Sequence, residues 1–148
     1  MSVDLKETFT STGSKLFWHT EAMQSLRDGS GRPIHAWLAA HDLCNHSCSF
    51  CSVGERAGDV LGFPVIRQFF KTLTQLGLKA VTLSGGGNSI LYKCRETRTD
   101  FNGLVDFLHD LGLQIGVITN GMPMRSYPNG RRSWGCVHPA TLDKMTWC

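Results

Sequence analysis

Lys79-Ala80-Val81-Thr82-Leu83-Ser84 runs straight into Gly85-Gly86-Gly87-Asn88, and this stretch decides the fold. An apolar run of strand length that ends in glycine reads as a β-strand followed by a tight loop. Before it, Pro64 to Leu76 carries Val65, Phe69, Leu73 and Leu76 at intervals of three and four, the apolar stripe of an amphipathic helix. Pro64 suits the first helical turn and Gly77 the stop. After it, Asp100 can cap a second helix bearing Phe101, Leu104, Leu108 and Leu111, closed by Gly112. Gln114-Ile115-Gly116-Val117-Ile118-Thr119 is the next strand-like run, and Asn120-Gly121 follows it.

Upstream, Ile34 to Ala40 is a further run of strand length. Residues 1–33 form a lead-in around one helix, Lys15 to Arg27, with Leu16, Met23 and Leu26 at helical intervals and Gly29-Ser30-Gly31 at its end. Strand starts near 34, 79 and 114 therefore alternate with helices, which predicts an α/β fold of βα units on a parallel sheet. Ligands of such sheets gather beyond the carboxyl ends of the strands. The chemistry belongs after Ala40, Ser84 and Thr119. Residues 122–137 read as a polar, proline-containing loop with a turn at Asn129-Gly130. Pro139 opens a short helix over 139–145, with Asp143 and Lys144 facing water.

The whole chain has 148 residues, a one-domain length able to bury its own core. Charged residues make up 18%, and the 16 glycines are about 11% against roughly 7% in ordinary proteins. These figures exclude a disordered tail, a coiled coil and a collagen-like rod. A net charge of +3 is too mild to indicate nucleic acid or a membrane surface. The best short apolar run, Ala36 to Ala40, falls far below the ~18 residues of a membrane span. Asp4, Lys6 and Glu7 stand where a signal peptide needs apolar residues, so a cytoplasmic location is expected.

Six cysteines are enough for a secreted disulfide framework, but their clustering points to a metal in a reducing compartment. Cys44-Asn45-His46-Ser47-Cys48-Ser49-Phe50-Cys51 is a C-x3-C-x2-C run in the loop after the first strand. Three thiolates on one short loop can turn inward onto one face of a [4Fe–4S] cubane and leave one iron without a protein ligand. Zinc completed by His46 or a distant cysteine is the second reading, and unliganded thiols the third. Gly85, Gly86 and Gly87 let backbone approach a ligand closely, as they equally serve a turn. They are not a phosphate loop, because no Gly-Lys-Ser/Thr follows.

With the βα context and Phe50 just before the last cysteine, Cys44, Cys48 and Cys51 resemble the signature of the radical S-adenosylmethionine superfamily. By that resemblance the three cysteines ligate a [4Fe–4S] cluster whose fourth iron chelates S-adenosyl-L-methionine. Phe50 would lie near the adenine, or else serve as a packing aromatic. Asn45 suits the family's usual opening of this loop, with a loop-internal hydrogen bond as its role. Gly85-Gly86-Gly87-Asn88 is similar to the family's Gly-Gly-Glu motif, which receives the ammonium of the cofactor. Here Asn88 and Ser89 replace glutamate and proline, so an amide carbonyl is offered without a negative charge. Thr119-Asn120-Gly121 looks like the family's "TNG", which would set Asn120 at the barrel mouth or make it a simple turn residue.

The resemblance implies a partial (β/α)6 TIM-like barrel with about three βα units, and residues 34–148 as its core, ending before the fourth strand. The open edge of the third strand would then need covering by another chain or further sequence. It also implies reductive cleavage of the cofactor to a 5′-deoxyadenosyl radical, with an electron donor such as a flavodoxin or ferredoxin. The rival reading is a non-catalytic iron–sulfur or zinc-binding domain. Arg125, Arg131 and Arg132, near Tyr127 and Trp134, with Lys93, Arg95 and Arg98 in the preceding loop, would attract an anionic substrate or form a solvated charged surface. Cys94, Cys136 and Cys148 could ligate an auxiliary cluster, but their wide separation favours free thiols. No histidine stands out as an acid or base, and Met122 and Met124 read as loop packing.

Overall fold

The computed structural model describes residues 20–121, 137–146 and 148. The start of the lead-in helix, and the loop with Met122, Met124, Arg125, Tyr127, the Asn129-Gly130 turn, Arg131, Arg132, Trp134 and Cys136, lie outside the described residues. What remains of the lead-in helix is α1, Thr20–Arg27, on which Met23 and Leu26 are exposed.

Three parallel strands follow: β1 (His35–Leu38), β2 (Ala80–Leu83) and a third over Gln114–Val117, paired in the order first, second, third. Val81 stands opposite Ala36 and Ile115, and Leu83 opposite Leu38 and Val117. Because side chains alternate along a strand, these six share one face. That face packs against α2 (Phe63–Gln75) and α3 (Phe101–Asp110) and forms the hydrophobic core. The opposite face carries His35, Trp37 and Thr82, where His35 Nε2 and Thr82 Oγ1 are 2.8 Å apart.

Helix α2 corrects the sequence reading of its stripe. Ile66 and Phe70 are each 1% exposed, and Phe63 and Leu73 pack beside them. Val65 and Phe69, at 57% and 56%, face outward with Leu76. The helix is apolar on two sides, so two stripes fit the period, and the sheet takes the one shifted by a residue. Helix α3 follows its expected pattern: Phe101, Leu104 and Leu108 are buried, and the Asp100 carboxylate accepts from the Gly103 amide at 3.0 Å.

The segment between β2 and α3 is more structured than the sequence implies. It holds a 3-10 turn over Ser89–Leu91 and a small antiparallel hairpin, β3 (Lys93–Cys94) and β4 (Thr99–Asp100). The Gln114–Val117 strand is therefore β5. Arg98 sits at the hairpin's turn with φ +57°, the left-handed region uncommon for side chains.

The expected helix at 139–145 is shorter. It is α4, Pro139–Leu142, capped by His138 Nδ1, which accepts from the Ala140 amide at 3.3 Å. Asp143 is exposed as expected, but Lys144 reaches the Asp106 carboxylate at 2.8 Å instead of facing water. The chain then returns to the edge of β5. The Thr146 amide donates to the Ile115 carbonyl at 2.7 Å, and the Ile115 amide donates to Thr146 Oγ1 at 3.1 Å. At Ile115 the edge of the third strand is thus met by the chain itself. Among the described residues, no helix is long and apolar enough to cross a membrane.

Candidate functional site

Beyond the strands' carboxyl ends, the backbone keeps pairing where the sequence ceases to be apolar. The Ser84 amide donates to Leu38, the Gly87 amide to His41 and the Asn88 amide to Leu43, at 3.0, 2.9 and 2.8 Å. The glycine segment thus lies directly along the entrance to the cysteine loop. A Cβ on Gly86 would overlap the His41 carbonyl, and one on Gly87 the Leu43 carbonyl. These two glycines are needed for the approach of one loop's backbone to another. Gly85, with φ +108°, makes the turn out of β2.

The far side of the same entrance is held as well. Asp42 and Leu61 amides donate to the carbonyls of Asp59 and Ala40 at 3.1 and 2.9 Å. The Asp42 carboxylate accepts from the amides of Ala57 and Gly58 at 2.8 and 3.1 Å. Residues 43–56 are therefore a loop whose two feet are tied together, and the three cysteines lie within it. Cys44 and Cys51 are half-buried, and Cys48 is exposed. The Arg56 guanidinium donates to Cys51 Sγ at 3.1 Å. Phe50 is 89% exposed.

Three asparagines from three strand ends meet at the mouth. Asn88 Nδ2 donates to Asn45 Oδ1 at 3.1 Å and to Asn120 Oδ1 at 2.8 Å. The Thr119 hydroxyl donates to Asn88 Oδ1 at 2.7 Å, and Asn120 Nδ2 donates to Asn45 Oδ1 at 3.0 Å. Asn88 is 3% exposed, whereas Asn45 and Asn120 face solvent. The loop-internal bond expected of Asn45 is replaced by these links to two other loops.

Sequence reasoning missed several participants. His41 is buried beneath the cysteine loop beside Tyr92, with ring centroids 6.1 Å apart. Its Nδ1 accepts from the Leu43 amide at 3.0 Å, which leaves the proton on Nε2. Nε2 is buried without a hydrogen bond. Burial lowers the imidazole pKa, outweighing the backbone of Ser89 and Asn88 and the Asp42 charge, which favour the cation. The Tyr92 hydroxyl donates to the Leu61 carbonyl at 3.0 Å, and burial raises its pKa, helped by Cys94.

Cys94 has a structural reason to be a free, buried thiol. Gly62, before α2, has no side chain to cap it, and the Phe63 amide donates to Cys94 Sγ at 3.3 Å. The sulfur from the hairpin takes the cap's place. Burial raises the thiol pKa, but hydrogen bonds from Thr97, Phe63 and Glu96 together carry it below its ordinary value. Cys148 is exposed. A pocket of about 510 Å³ opens beside Cys94, lined by Leu43, Val60, Lys93, Arg95 and Glu96 among others.

No protein-family model and no curated protein matches the chain. Among solved structures it is similar to SuiB of Streptococcus suis, crystallised bound to the precursor peptide SuiA. The TM-score is 0.54 at 15% identity, over 77% of this chain and 25% of SuiB. SuiB is built on a TIM-type barrel. The fold here is a partial barrel of that type. The likeness is one of backbone; in this chain the cysteine loop follows β1, at the carboxyl end of the parallel sheet.

Among the described residues, no three His, Cys, Asp or Glu side chains stand close enough together to hold a metal ion. The donor set still fits an iron–sulfur cluster in kind. Three soft thiols share one short loop, and a guanidinium already donates to one of them.

Proposed function

We propose that the chain is the core of a radical S-adenosylmethionine enzyme in which Cys44, Cys48 and Cys51 hold a [4Fe–4S] cluster. Phe50, Gly85, Gly86, Gly87 and Asn120 border the space for S-adenosyl-L-methionine, with Asn88 beneath them. When bound, cluster and cofactor supply reductive cleavage to a 5′-deoxyadenosyl radical, which takes hydrogen from a substrate.

The observation that carries this reading is the meeting of the cysteine loop, the glycine run and Thr119-Asn120 at the ends of three adjacent parallel strands. The protein's own part is to bind and to place. Asp42 closes the feet of the cysteine loop, and the Arg56 guanidinium, donating to Cys51 Sγ, orients that sulfur. Gly86 and Gly87 let the second loop lie against the first. Exposed Cys48 leaves the loop open to a reductant such as a flavodoxin or ferredoxin. Lys93 and Arg95, both lining the neighbouring pocket, favour an anionic substrate.

Anaerobic reconstitution with iron and sulfide, followed by reductant and S-adenosylmethionine, tests the proposal. Brown protein that releases 5′-deoxyadenosine is the expected result, and Cys48→Ala should lose both the absorbance and the product. A cluster without cleavage would make this a binding domain. One zinc per chain, with no sulfide retained, would overturn the iron reading altogether.

A further inference from the structure

Asn88 occupies the position from which, in the proposed family, a carboxylate reaches for the cofactor, yet both ends of its side chain are engaged inside the protein. Both hydrogens of Nδ2 are donated, to Asn45 and Asn120, and Oδ1 accepts from Thr119. Its backbone amide donates to Leu43, and its carbonyl accepts from the Leu91 amide at 2.8 Å. Buried polar groups satisfied this completely hold their neighbours in one arrangement, because moving any partner strands a desolvated atom.

We infer that Asn88 is the hub of an amide lock that fixes the cysteine loop to the ends of β2 and β5, and that it acts as a positioning residue for Cys44 through Asn45. In this arrangement Asn45 and Asn120 turn their Oδ1 atoms to position 88, and a carboxylate there has no hydrogen to give them. The amide at 88 suits its neighbours: all three strand-end loops contribute an asparagine, and the three are mutually complementary as oriented. Asn45 is next to Cys44 in sequence, so the lock acts on the first cysteine before any cluster is present. The role toward a cluster rests on the function proposed above; the lock itself does not.

The test uses the full chain without metal and measures alkylation of each cysteine by iodoacetamide, resolved by mass spectrometry. Asn45→Ala and Asn88→Ala should each raise the rate at Cys44 about tenfold, the order expected when a satisfied buried hydrogen-bond set is broken. Exposed Cys48 serves as the reagent control and buried Cys94 as the control for global unfolding; neither rate should move. The double variant should react no faster than the faster single one, since both remove the same lock. Should Asn88→Ala fail to fold, Asn45→Ala and Asn120→Ala form the same cycle through their own 3.0 Å bond. An unchanged Cys44 rate, a multiplicative double variant, or equal acceleration at Cys94 would each overturn the lock. Failure to take up a cluster would leave these rates as they are and count only against the proposed function.

Discussion

The strands of the parallel sheet and the loops beyond their carboxyl ends are held by different physics. Along the strands, Val81, Leu83, Ile115 and Val117 are held by apolar burial against two helices. A few residues on, the same backbones are held by asparagine amides, a carboxylate and glycine contacts. Burial is non-directional and tolerates reshaping, whereas a satisfied polar set accepts one geometry. The barrel wall can be built from any well-packed apolar residues. The mouth cannot.

The sharpest way to break this contrast is from the wall. Phe70→Ala removes a fully buried ring between α2 and the sheet and should cost about 3–5 kcal/mol in urea unfolding. Wall and mouth should be lost together, in one transition by every probe. Two separated transitions would mean that the loops are held independently of the core.

A smaller effect isolates the mouth. Gly87→Ala places a methyl against the Leu43 carbonyl and should cost roughly 1–3 kcal/mol. Hydrogen exchange would show its locality: the Asn88 amide loses protection, while the Ile118 amide, bonded to Leu83 at 3.0 Å, keeps it. Equal loss at both amides would make the glycine run part of the core.

The smallest effect comes from pH. The folded-state pKa of His41 lies below the unfolded value near 6.5, so the unfolded chain binds the proton more readily. Stability from neutral His41 is whole above about pH 6.5 and is lost as the pH falls through the lower folded value. His41→Gln should flatten this part of the profile, measured as unfolding midpoint against pH. An unchanged slope would place the acid sensitivity elsewhere.

The wall was legible in the sequence because strand and helix periods report which side chains meet. Expected strands and observed ones agree within about two residues at their ends. Helix α2 misled because Val65, Phe69 and Leu76 make as good a stripe as Phe63, Ile66, Phe70 and Leu73, and only the sheet chooses between them. The β3–β4 hairpin was missed because two-residue strands carry no period. At the mouth, Cys44, Cys48, Cys51, Asn88 and Asn120 could be picked out one by one. Their connections could not, since Asn45 lies 43 residues from Asn88 and 75 from Asn120. Nor does any local signal announce that Cys94 caps a helix 31 residues earlier.

The Asp42 carboxylate, joined to the amides of Ala57 and Gly58, bears on the entropy of assembling a metal centre. Closing a flexible loop costs free energy that rises with the logarithm of its length. Here the long closure, from 42 to 57, is completed without any cysteine taking part. Under the proposed function, an incoming cluster would have only the short inner arc from Cys44 to Cys51 left to order. On that reading, the affinity of the three thiols for the cluster would be set in part by an aspartate that touches none of them.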